Sequence, residues 1–274
     1  MVVSQNDVPS PVAAGVSQDR QTSHDLYLDL LKKVLTDTLY EAGPSLDVDS
    51  PAAYLQNFIS HCIQGRALTM VPQARLDNVQ ACIQDVLRAG VPGDVIEAGV
   101  WRGGTAIFMK AVLRAHQTQD RTVWVADSFE GLPAPDANRH PVEAKAHDSQ
   151  IMRDVYHHFA VDLEEVRSNF RRFGLLDDSV QFLKGWFKDT LPLAPITRLS
   201  VMRLDGDYYD STMDCLNNLY DKLSIGGYVI IDDYGQDEWT YCRQAVDEFR
   251  SKRHIKDPVI RVDSTCHYWQ RLGK

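Results

Sequence analysis

Acidic residues follow two apolar runs in the second half of the chain, and their chemistry suggests a metal site. Asp205 follows the run 199–204, and Asp232 and Asp233 follow the run 228–231. If these runs are neighbouring parallel strands, their ends lie about 5 Å apart and the three carboxylates repel one another. Mg²⁺ prefers such oxygen ligands. The sequence therefore predicts Mg²⁺ at Asp205, Asp232 and Asp233; the alternative that arginine or lysine partners hold these acids stays open.

A glycine-containing turn follows the first predicted strand. That strand carries Glu97, and the chain continues as Gly99-Val100-Trp101-Arg102-Gly103. Gly99 and Gly103 allow a tight turn and the close approach of a ligand, and Glu97 suits a cationic group such as an amino-acid ammonium. Because Trp101 interrupts the dinucleotide pattern GxGxxG, the turn favours neither a bound pyrophosphate nor an NAD-dependent dehydrogenase.

The ends of the next two predicted strands complete a nucleoside site. Asp127 ends the second strand, where an acid can accept hydrogen bonds from ribose hydroxyls. Gly185-Trp186-Phe187 follows the third strand and places aromatic rings where an adenine could stack. An amino acid, a ribose and an adenine together describe S-adenosylmethionine.

The two predicted sites together indicate methyl transfer to a hydroxyl. A metal would orient an acceptor oxygen and lower its pKa, and a nearby carboxylate would accept the proton. Asp205 is the predicted catalytic residue because it is nearest the cofactor side of the sheet. Histidines of the segment 128–160, a predicted lid loop, are the alternative proton acceptors: His140, His157 and His158.

Alternating apolar runs and helical patterns predict an α/β fold with a mostly parallel sheet, helices on both faces and a C-terminal antiparallel hairpin. The predicted strands are 94–98, 122–126, 180–183, 199–204, 228–231, 259–262 and 266–271. The predicted helices are 25–41, 51–62, 74–89, 105–116, 161–173, 211–223 and 238–252. Asp162 and Glu165 predict a capping box on the helix 161–173.

Composition sets the broad class of the protein. The chain has 274 residues and a net charge of −9, which argues against nucleic acid as a partner. No apolar run is long enough for a membrane span. The five cysteines form no CxxC pair, which favours reduced thiols in a cytoplasmic protein. The polar residues 1–22 predict a flexible tail rather than a signal peptide.

Several stretches resemble the macrocin O-methyltransferase family, whose members methylate sugar hydroxyls on antibiotics. The resemblance runs from about Tyr54 to the C-terminus. It is carried by Thr69-Met70, Arg75-Leu76-Asp77-Asn78, Gly90-Val91-Pro92-Gly93-Asp94-Val95-Ile96-Glu97, Gly99-Val100-Trp101-Arg102-Gly103-Gly104, Asp127-Ser128-Phe129-Glu130-Gly131-Leu132-Pro133, Gly185-Trp186-Phe187, Leu204-Asp205-Gly206-Asp207 and Gly227-Tyr228-Val229-Ile230-Ile231-Asp232-Asp233-Tyr234.

The resemblance implies a class I methyltransferase (Rossmann-like) fold with a seven-stranded sheet. It implies a helical lid or oligomerisation region at 23–90, a cofactor-binding domain at 91–274, and a homodimer or larger assembly. The implied S-adenosylmethionine ligands are Thr69, Met70, Glu97, Gly99, Val100, Trp101, Arg102, Gly103, Asp127, Ser128, Gly185, Trp186, Leu204 and Asp205. The implied Mg²⁺ ligands are Asp205, Asp232 and Asp233, with Asp205 also the proton acceptor.

The leading hypothesis is therefore a Mg²⁺-dependent O-methyltransferase acting on a small, glycosylated natural product. A metal-dependent glycosyltransferase is an alternative, with Asp205-Gly206-Asp207 as a DxD site. A non-catalytic scaffold that binds S-adenosylmethionine is another. The residues before about Ser50 and the loop 134–159 match no motif of the family, and these regions are expected to shape the acceptor pocket.

Overall fold

The computed structural model of the chain describes residues 22–40, 65–235 and 240–273. Seven strands form one sheet in the order β3-β2-β1-β4-β5-β7-β6. They are β1 (Asp94–Ala98), β2 (Val123–Asp127), β3 (Val180–Lys184), β4 (Leu199–Leu204), β5 (Leu223–Ile231), β6 (Ile260–Arg261) and β7 (His267–Gln270). Strands β1 to β5 pair in parallel, and β7 pairs antiparallel with both β5 and β6. The predicted fold class is confirmed.

Nine α-helices lie within the described residues. They are α1 (Ser23–Leu35), α2 (Gln73–Arg88), α3 (Gly104–Ala115), α4 (Pro141–His147), α5 (Gln150–Val155), α6 (Leu163–Arg172), α7 (Phe187–Thr190), α8 (Tyr209–Leu219) and α9 (Thr240–Lys252). Short 3₁₀ turns follow α5 and α8, at Tyr156–His158 and Tyr220–Lys222. The predicted helix 51–62, most of the predicted tail and the start of the helix 238–252 lie outside the described residues.

Side chains on the two faces of the sheet enter separate apolar clusters. Val95 and Val201 pack with helices α1, α2, α3 and α6 on one face. Ile96 and Met202 pack with α8 and α9 on the other. The alternation follows from the two-residue period of a strand, and helices on both faces were predicted. Because α1 and α2 share a core with the sheet, both helices are docked directly against it.

Three predicted boundaries were wrong for local reasons. Helix α1 ends at Leu35 rather than residue 41, because the Thr36 hydroxyl donates back to the Lys32 carbonyl and Asp37 turns to a φ of 54°. Strand β5 begins at Leu223, five residues earlier than predicted, because Leu223 already pairs with Leu199 of β4. The predicted helix 211–223 therefore ends before that pairing starts.

Two further local predictions need correction. At the start of α6, the Asp162 side chain accepts a hydrogen bond from the Glu164 amide, so the cap does not take the predicted capping-box form with Glu165. The segment 128–160 is not a structureless loop, because it contains α4, α5 and a 3₁₀ turn. Ser149 starts α5 by accepting a hydrogen bond from the Met152 amide.

Among the described residues, no helix combines the length and the apolarity that a membrane span requires.

Candidate active site

The turn after β1 requires glycine at its first position. Gly99 has a φ of 89°, and a Cβ there would overlap the backbone carbonyl oxygen of Asp205. The Asp205 amide donates to the Ala98 carbonyl at 2.8 Å, so the two strand ends are in direct contact. Gly103 is also left-handed, with a φ of 85°, and it is the N-cap residue of helix α3. The helix therefore points its positive end at the turn.

Asp127 fixes this turn from the end of β2. Its carboxylate accepts hydrogen bonds from the amides of Val100 and Phe129, each at 2.8 Å. Burial raises the pKa of Asp127, although these amides favour the ionised form. The Trp101 amide and the Ser128 hydroxyl also favour the ionised carboxylate, so Asp127 is held as a hydrogen-bond acceptor at the end of β2. Ser128 is buried and donates to the Gly131 carbonyl at 2.6 Å.

The end of β3 lies beside Asp127. The Gly185 amide donates to the Asp127 carbonyl at 2.9 Å, and Gly185 has a φ of 134°. Trp186 follows, half-buried, at the N-terminus of α7. The structure thus brings the predicted ribose ligand and the predicted adenine-stacking residue together.

The segment 67–70 packs against the other side of the turn. The Thr69 and Thr105 hydroxyls are hydrogen-bonded at 2.9 Å in a buried position. Arg102 donates to the Ala67 carbonyl at 2.9 Å, and the Gly104 amide donates to the Leu68 carbonyl at 2.8 Å. Met70 packs, partly buried, against the core. The segment therefore lies beside the start of α3; that Thr69 and Met70 bind the cofactor stays a prediction.

The segment 128–160 contacts the turn at Trp101. The Trp101 indole N–H donates to the His158 carbonyl at 2.8 Å, and Trp101 adopts a φ of 49°. The same segment docks on the start of α8, where the Glu143 carboxylate accepts from the Tyr209 amide at 2.9 Å and His147 Nδ1 lies 2.6 Å from the Tyr208 hydroxyl. It therefore borders both the glycine turn and the chain that follows Asp205.

Three carboxylates converge at the ends of β4 and β5. Oxygen atoms of Asp205, Asp207 and Asp233 all lie within 4.8 Å of one another. Burial, together with the neighbouring acids, raises the pKa of Asp205 to about 6 and that of Asp207 and Asp233 well above the usual range. We call this group the acid edge. Its donors are all oxygen, which fits a hard divalent cation such as Mg²⁺.

Asp232 differs from its neighbours because arginines hold it. Its two oxygens lie 2.5 Å from Arg75 Nη1 and 2.6 Å from Arg203 Nη2. The arrangement left open for the acids, an arginine partner, thus occurs at Asp232. Asp207 is the third member of the acid edge, although its only predicted role was in the DxD alternative.

Glu97 is also paired with Arg203. The two side chains are each about 1% exposed, and Glu97 Oε1 lies 2.6 Å from Arg203 Nη1. Burial raises the pKa of Glu97 to about 8, although Arg203 opposes that shift. The second oxygen, Oε2, is buried and accepts no hydrogen bond. An unpartnered buried oxygen beneath the glycine turn fits a cationic ligand group.

Sequence reasoning missed the two arginines. Arg203 interrupts the apolar run of β4, and a charged residue within a buried strand was the available signal. Arg75 gave a weaker signal, because it lies 157 residues before Asp232 and only the packing of α2 brings them together.

Of the histidine alternatives, His140 Nε2 lies 3.5 Å from Asp210, and His157 and His158 contact each other. None of the three belongs to the acid edge found among the described residues.

The comparisons with known proteins agree with this geometry. The family model for macrocin O-methyltransferase matches residues 61–271. The chain belongs to the macrocin O-methyltransferase family. It is 50% identical over 257 residues to 8-demethyl-8-(2,3-dimethoxy-alpha-L-rhamnosyl)-tetracenomycin-C 4'-O-methyltransferase of Streptomyces olivaceus, covering 92% of this chain and 95% of the relative. It is 46% identical to demethyldecarbamoylnovobiocin O-methyltransferase of Streptomyces niveus, covering 93% and 98% of the two chains.

Solved structures support the same assignment. The O-methyltransferase NovP superposes with a TM-score of 0.79 at 47% identity, covering 91% of this chain and all of that one (100%). The calicheamicin methyltransferase CalS11, at 19% identity and a TM-score of 0.58, shares the fold. The macrocin-family chain is therefore an S-adenosylmethionine-dependent O-methyltransferase, and family membership decides against the glycosyltransferase and scaffold alternatives.

Proposed function

We propose that this enzyme methylates a sugar hydroxyl of a glycosylated natural product and that a divalent cation, Mg²⁺, binds at the acid edge. One observation carries the proposal. The glycine turn and the acid edge touch, because Gly99 packs against Asp205, and Asp205 is anchored to Ala98. A methyl donor on the turn and an acceptor oxygen at the acids would therefore be neighbours.

The relatives support the acceptor class. The similar enzymes are named for a tetracenomycin that carries a rhamnosyl group and for a novobiocin precursor. A third relative, mycinamicin III 3''-O-methyltransferase of Micromonospora griseorubida, is 44% identical over 91% of this chain and 98% of its own length. Sugar-bearing antibiotics or their precursors are thus the acceptors to test first.

In the proposed mechanism, each part of the site has a separate role. S-adenosylmethionine, held by the glycine turn, would supply the electrophilic methyl group. Mg²⁺, held by the acid edge, would supply Lewis-acid activation of the acceptor hydroxyl. Glu97, the turn 99–103, Asp127 and Trp186 bind and orient the cofactor. Asp205 accepts the acceptor's proton at a carboxylate oxygen. The segments 67–70 and 128–160 exclude water from the reacting atoms.

Asp205 is suited to this role by its surroundings. It lies at the contact between the two sites, and its pKa of about 6 leaves it ionised at neutral pH yet more basic than an exposed aspartate. Asp207 is the second carboxylate within reach of the same position. The cation's third ligand is then either Asp207 or Asp232, and variants can separate these two.

The remaining proposals concern the assembly and its setting. We propose a cytoplasmic homodimer, or a larger homo-oligomer, that does not bind nucleic acid. The net charge of −9 supports the last point. Helix α1 supports self-association, because Leu26 and Leu30 are 57% and 52% exposed on a face opposite its buried residues. The region 23–90 would then serve in oligomerisation as well as in covering the cofactor.

Calorimetric titration with S-adenosylhomocysteine and then with Mg²⁺ tests the sites. We expect nucleoside binding at micromolar concentration, and metal binding that Asp205→Asn weakens. Asp207→Asn and Asp232→Asn then rank the two candidates for the third ligand, because losing a direct oxygen ligand should weaken metal binding more than losing a neighbouring charge. Nucleoside binding without any metal binding would overturn the Mg²⁺ proposal and leave the methyltransferase assignment intact.

The acceptor is tested by methyl transfer to matched pairs of compounds. Each pair consists of a glycosylated antibiotic with a free sugar hydroxyl and its aglycone, with and without a chelator. We expect methylation of the glycosylated member alone, and its loss with the chelator. Methylation of the aglycone would show that the acceptor hydroxyl is not on a sugar.

A further inference from the structure

A buried chain of alternating charges connects the cofactor side of the site to the acid edge. Its members are Glu97 of β1, Arg203 of β4, Asp232 after β5 and Arg75 of α2, and we call it the buried charge chain. Glu97 and Arg203 are cross-strand partners in the parallel sheet, so both side chains project to the face that α2 covers. Arg203 and Asp232 are almost fully buried. The chain is therefore shielded from solvent, and its charges interact strongly.

The guanidinium of Arg203 contacts three acids. Its Nη1 contacts Glu97 at 2.6 Å, and its Nη2 contacts both Asp232, at 2.6 Å, and Asp205, at 3.0 Å. Nη1 and Nη2 donate hydrogen bonds to Glu97 and Asp205, whereas the contact with Asp232 is an ion pair. Arg203 is thus the one described side chain that contacts Glu97 on the cofactor side and a member of the acid edge.

Arg75 holds Asp232 from the opposite side. Arg75 Nη1 lies 2.5 Å from Asp232, and its Nε lies 2.6 Å from Asp263. Asp263 is in turn fixed by the amides of Thr265 and Cys266, at 3.0 and 2.8 Å. The N-terminal addition therefore contributes a cation to the catalytic region, and the turn between β6 and β7 keeps that cation in place.

A divalent cation bound at the acid edge would compete with these arginines for carboxylate oxygens. Both guanidiniums carry positive charge close to the carboxylates, and both occupy oxygen atoms that a cation could use. Neutralising Glu97 would leave Arg203 less compensated, and its charge would then act more strongly on Asp205 and Asp232. Removing Arg75 would instead free one oxygen of Asp232 and remove one positive charge. The two changes should affect metal binding in opposite directions.

We propose that Arg203 and Arg75 are positioning residues that set the affinity of the acid edge for a divalent cation, and that Glu97 acts on this edge through Arg203. This inference rests on the proposed metal site. It extends that site to residues that need not touch the metal, one of which comes from helix α2.

The test is a calorimetric titration of the full chain with Mg²⁺ alone. The titration is done at about pH 9, because burial raises the pKa of Glu97 to about 8 and the carboxyl must be ionised. We expect Glu97→Gln to weaken Mg²⁺ binding about tenfold and Arg75→Met to strengthen it about tenfold, as expected for one charge acting over several ångströms in a partly buried site. Arg203→Met would leave Glu97, Asp205 and Asp232 without their shared cation and can fail to fold, so the inference does not depend on it.

Arg121→Met is the matched control. Arg121 lies at the opposite end of the same sheet, where it donates to the carbonyls of Val91 and Gly93 and to the Ser200 hydroxyl. It should lower the unfolding temperature without changing Mg²⁺ affinity. If Glu97→Gln and Arg75→Met lower the unfolding temperature but leave the affinity within twofold of wild type, the residues are only structural and the inference is wrong. If the wild-type protein binds no Mg²⁺, the proposed metal site fails and takes this inference with it.

Discussion

The two halves of the active site are built on different principles. At the glycine turn, backbone amides and carbonyls satisfy the polar groups, and Asp127 is held by two amides of its own neighbourhood. At the acid edge, carboxylates crowd together and their pKa values rise. The turn is therefore shaped in advance for its ligand, whereas the acid edge is electrostatically incomplete without one. A shape can be tested by adding atoms, and an imbalance of charge can be tested by removing or adding charge.

The largest effect is expected from removing charge at the contact between the halves. Asp205→Ala deletes the proposed proton acceptor and a proposed metal ligand, so kcat for methyl transfer should fall about 10³-fold. S-adenosylhomocysteine affinity should change much less, because the turn is held by backbone contacts. Steady-state kinetics with an acceptor identified among the matched pairs of compounds measures kcat. Asp120→Ala, at an exposed acid beyond the opposite end of the sheet, is the control. An equal loss of kcat in both variants would contradict the role of Asp205.

Adding atoms to the turn should have the next largest effect. Gly99→Ala places a Cβ against the Asp205 carbonyl in a left-handed conformation, and it should lower the free energy of unfolding by about 3 kcal/mol. Gly174→Ala is the matched control, because Gly174 is also left-handed, with a φ of 64°, but a Cβ there would meet no atom within 4 Å. It should cost about 1 kcal/mol. Urea unfolding compares the two, and equal losses would show that the contact with Asp205 is unimportant.

The crowding of carboxylates at the acid edge should make the stability of the folded protein depend on pH. The folded-state pKa of Asp205 is about 6, above its usual 3.8, so the folded protein holds this proton where the unfolded chain has lost it. The stability associated with Asp205 is therefore present below about pH 4 and is lost as the pH rises to about 6. The unfolding temperature of wild type should fall relative to Asp205→Asn over this interval, as measured by thermal denaturation in a chelator.

Mg²⁺ should reverse that loss. At neutral pH, about 10 mM Mg²⁺ should raise the unfolding temperature of wild type by roughly 5 °C and that of Asp205→Asn by much less. K⁺ at matched ionic strength distinguishes Mg²⁺ binding from general screening. A rise of the same size in both proteins would place the metal effect outside the acid edge.

The sequence predicted one half of the site better than the other, for a physical reason. The glycine turn is encoded within a few consecutive residues, and every predicted member from Glu97 to Gly103 lies at the end of β1 as expected. The family and the seven-stranded fold could also be inferred, because strand periodicity and contiguous motifs are local signals. The roles of the individual site residues stay predictions that the experiments above address.

The acid edge depended on contacts that local patterns do not record. Strand pairing predicted that Asp205 and Asp233 would meet, which they do. The sequence could not show that Arg75 would arrive from α2 to hold Asp232, or that the left-handed turn at Asp207 would bring that carboxylate into the group. The helices within 128–160 were missed for a related reason. Helix α4 is short and is held by docking, through Glu143, onto the start of α8.

The smallest expected effect concerns the link between the turn and the segment that covers it. Trp101→Phe removes the hydrogen bond from the indole to the His158 carbonyl and keeps an aromatic ring in place. Such a bond contributes about 1 kcal/mol, so S-adenosylhomocysteine affinity should fall about fivefold if the covering segment helps to retain the cofactor. kcat should be nearly unchanged, because the acids are untouched. Trp124→Phe is the control, since its indole also donates a single hydrogen bond, to Asp94 at the other end of the sheet. If both variants leave the affinity for S-adenosylhomocysteine unchanged, the hydrogen bond from Trp101 to the segment 128–160 does not help to retain the cofactor.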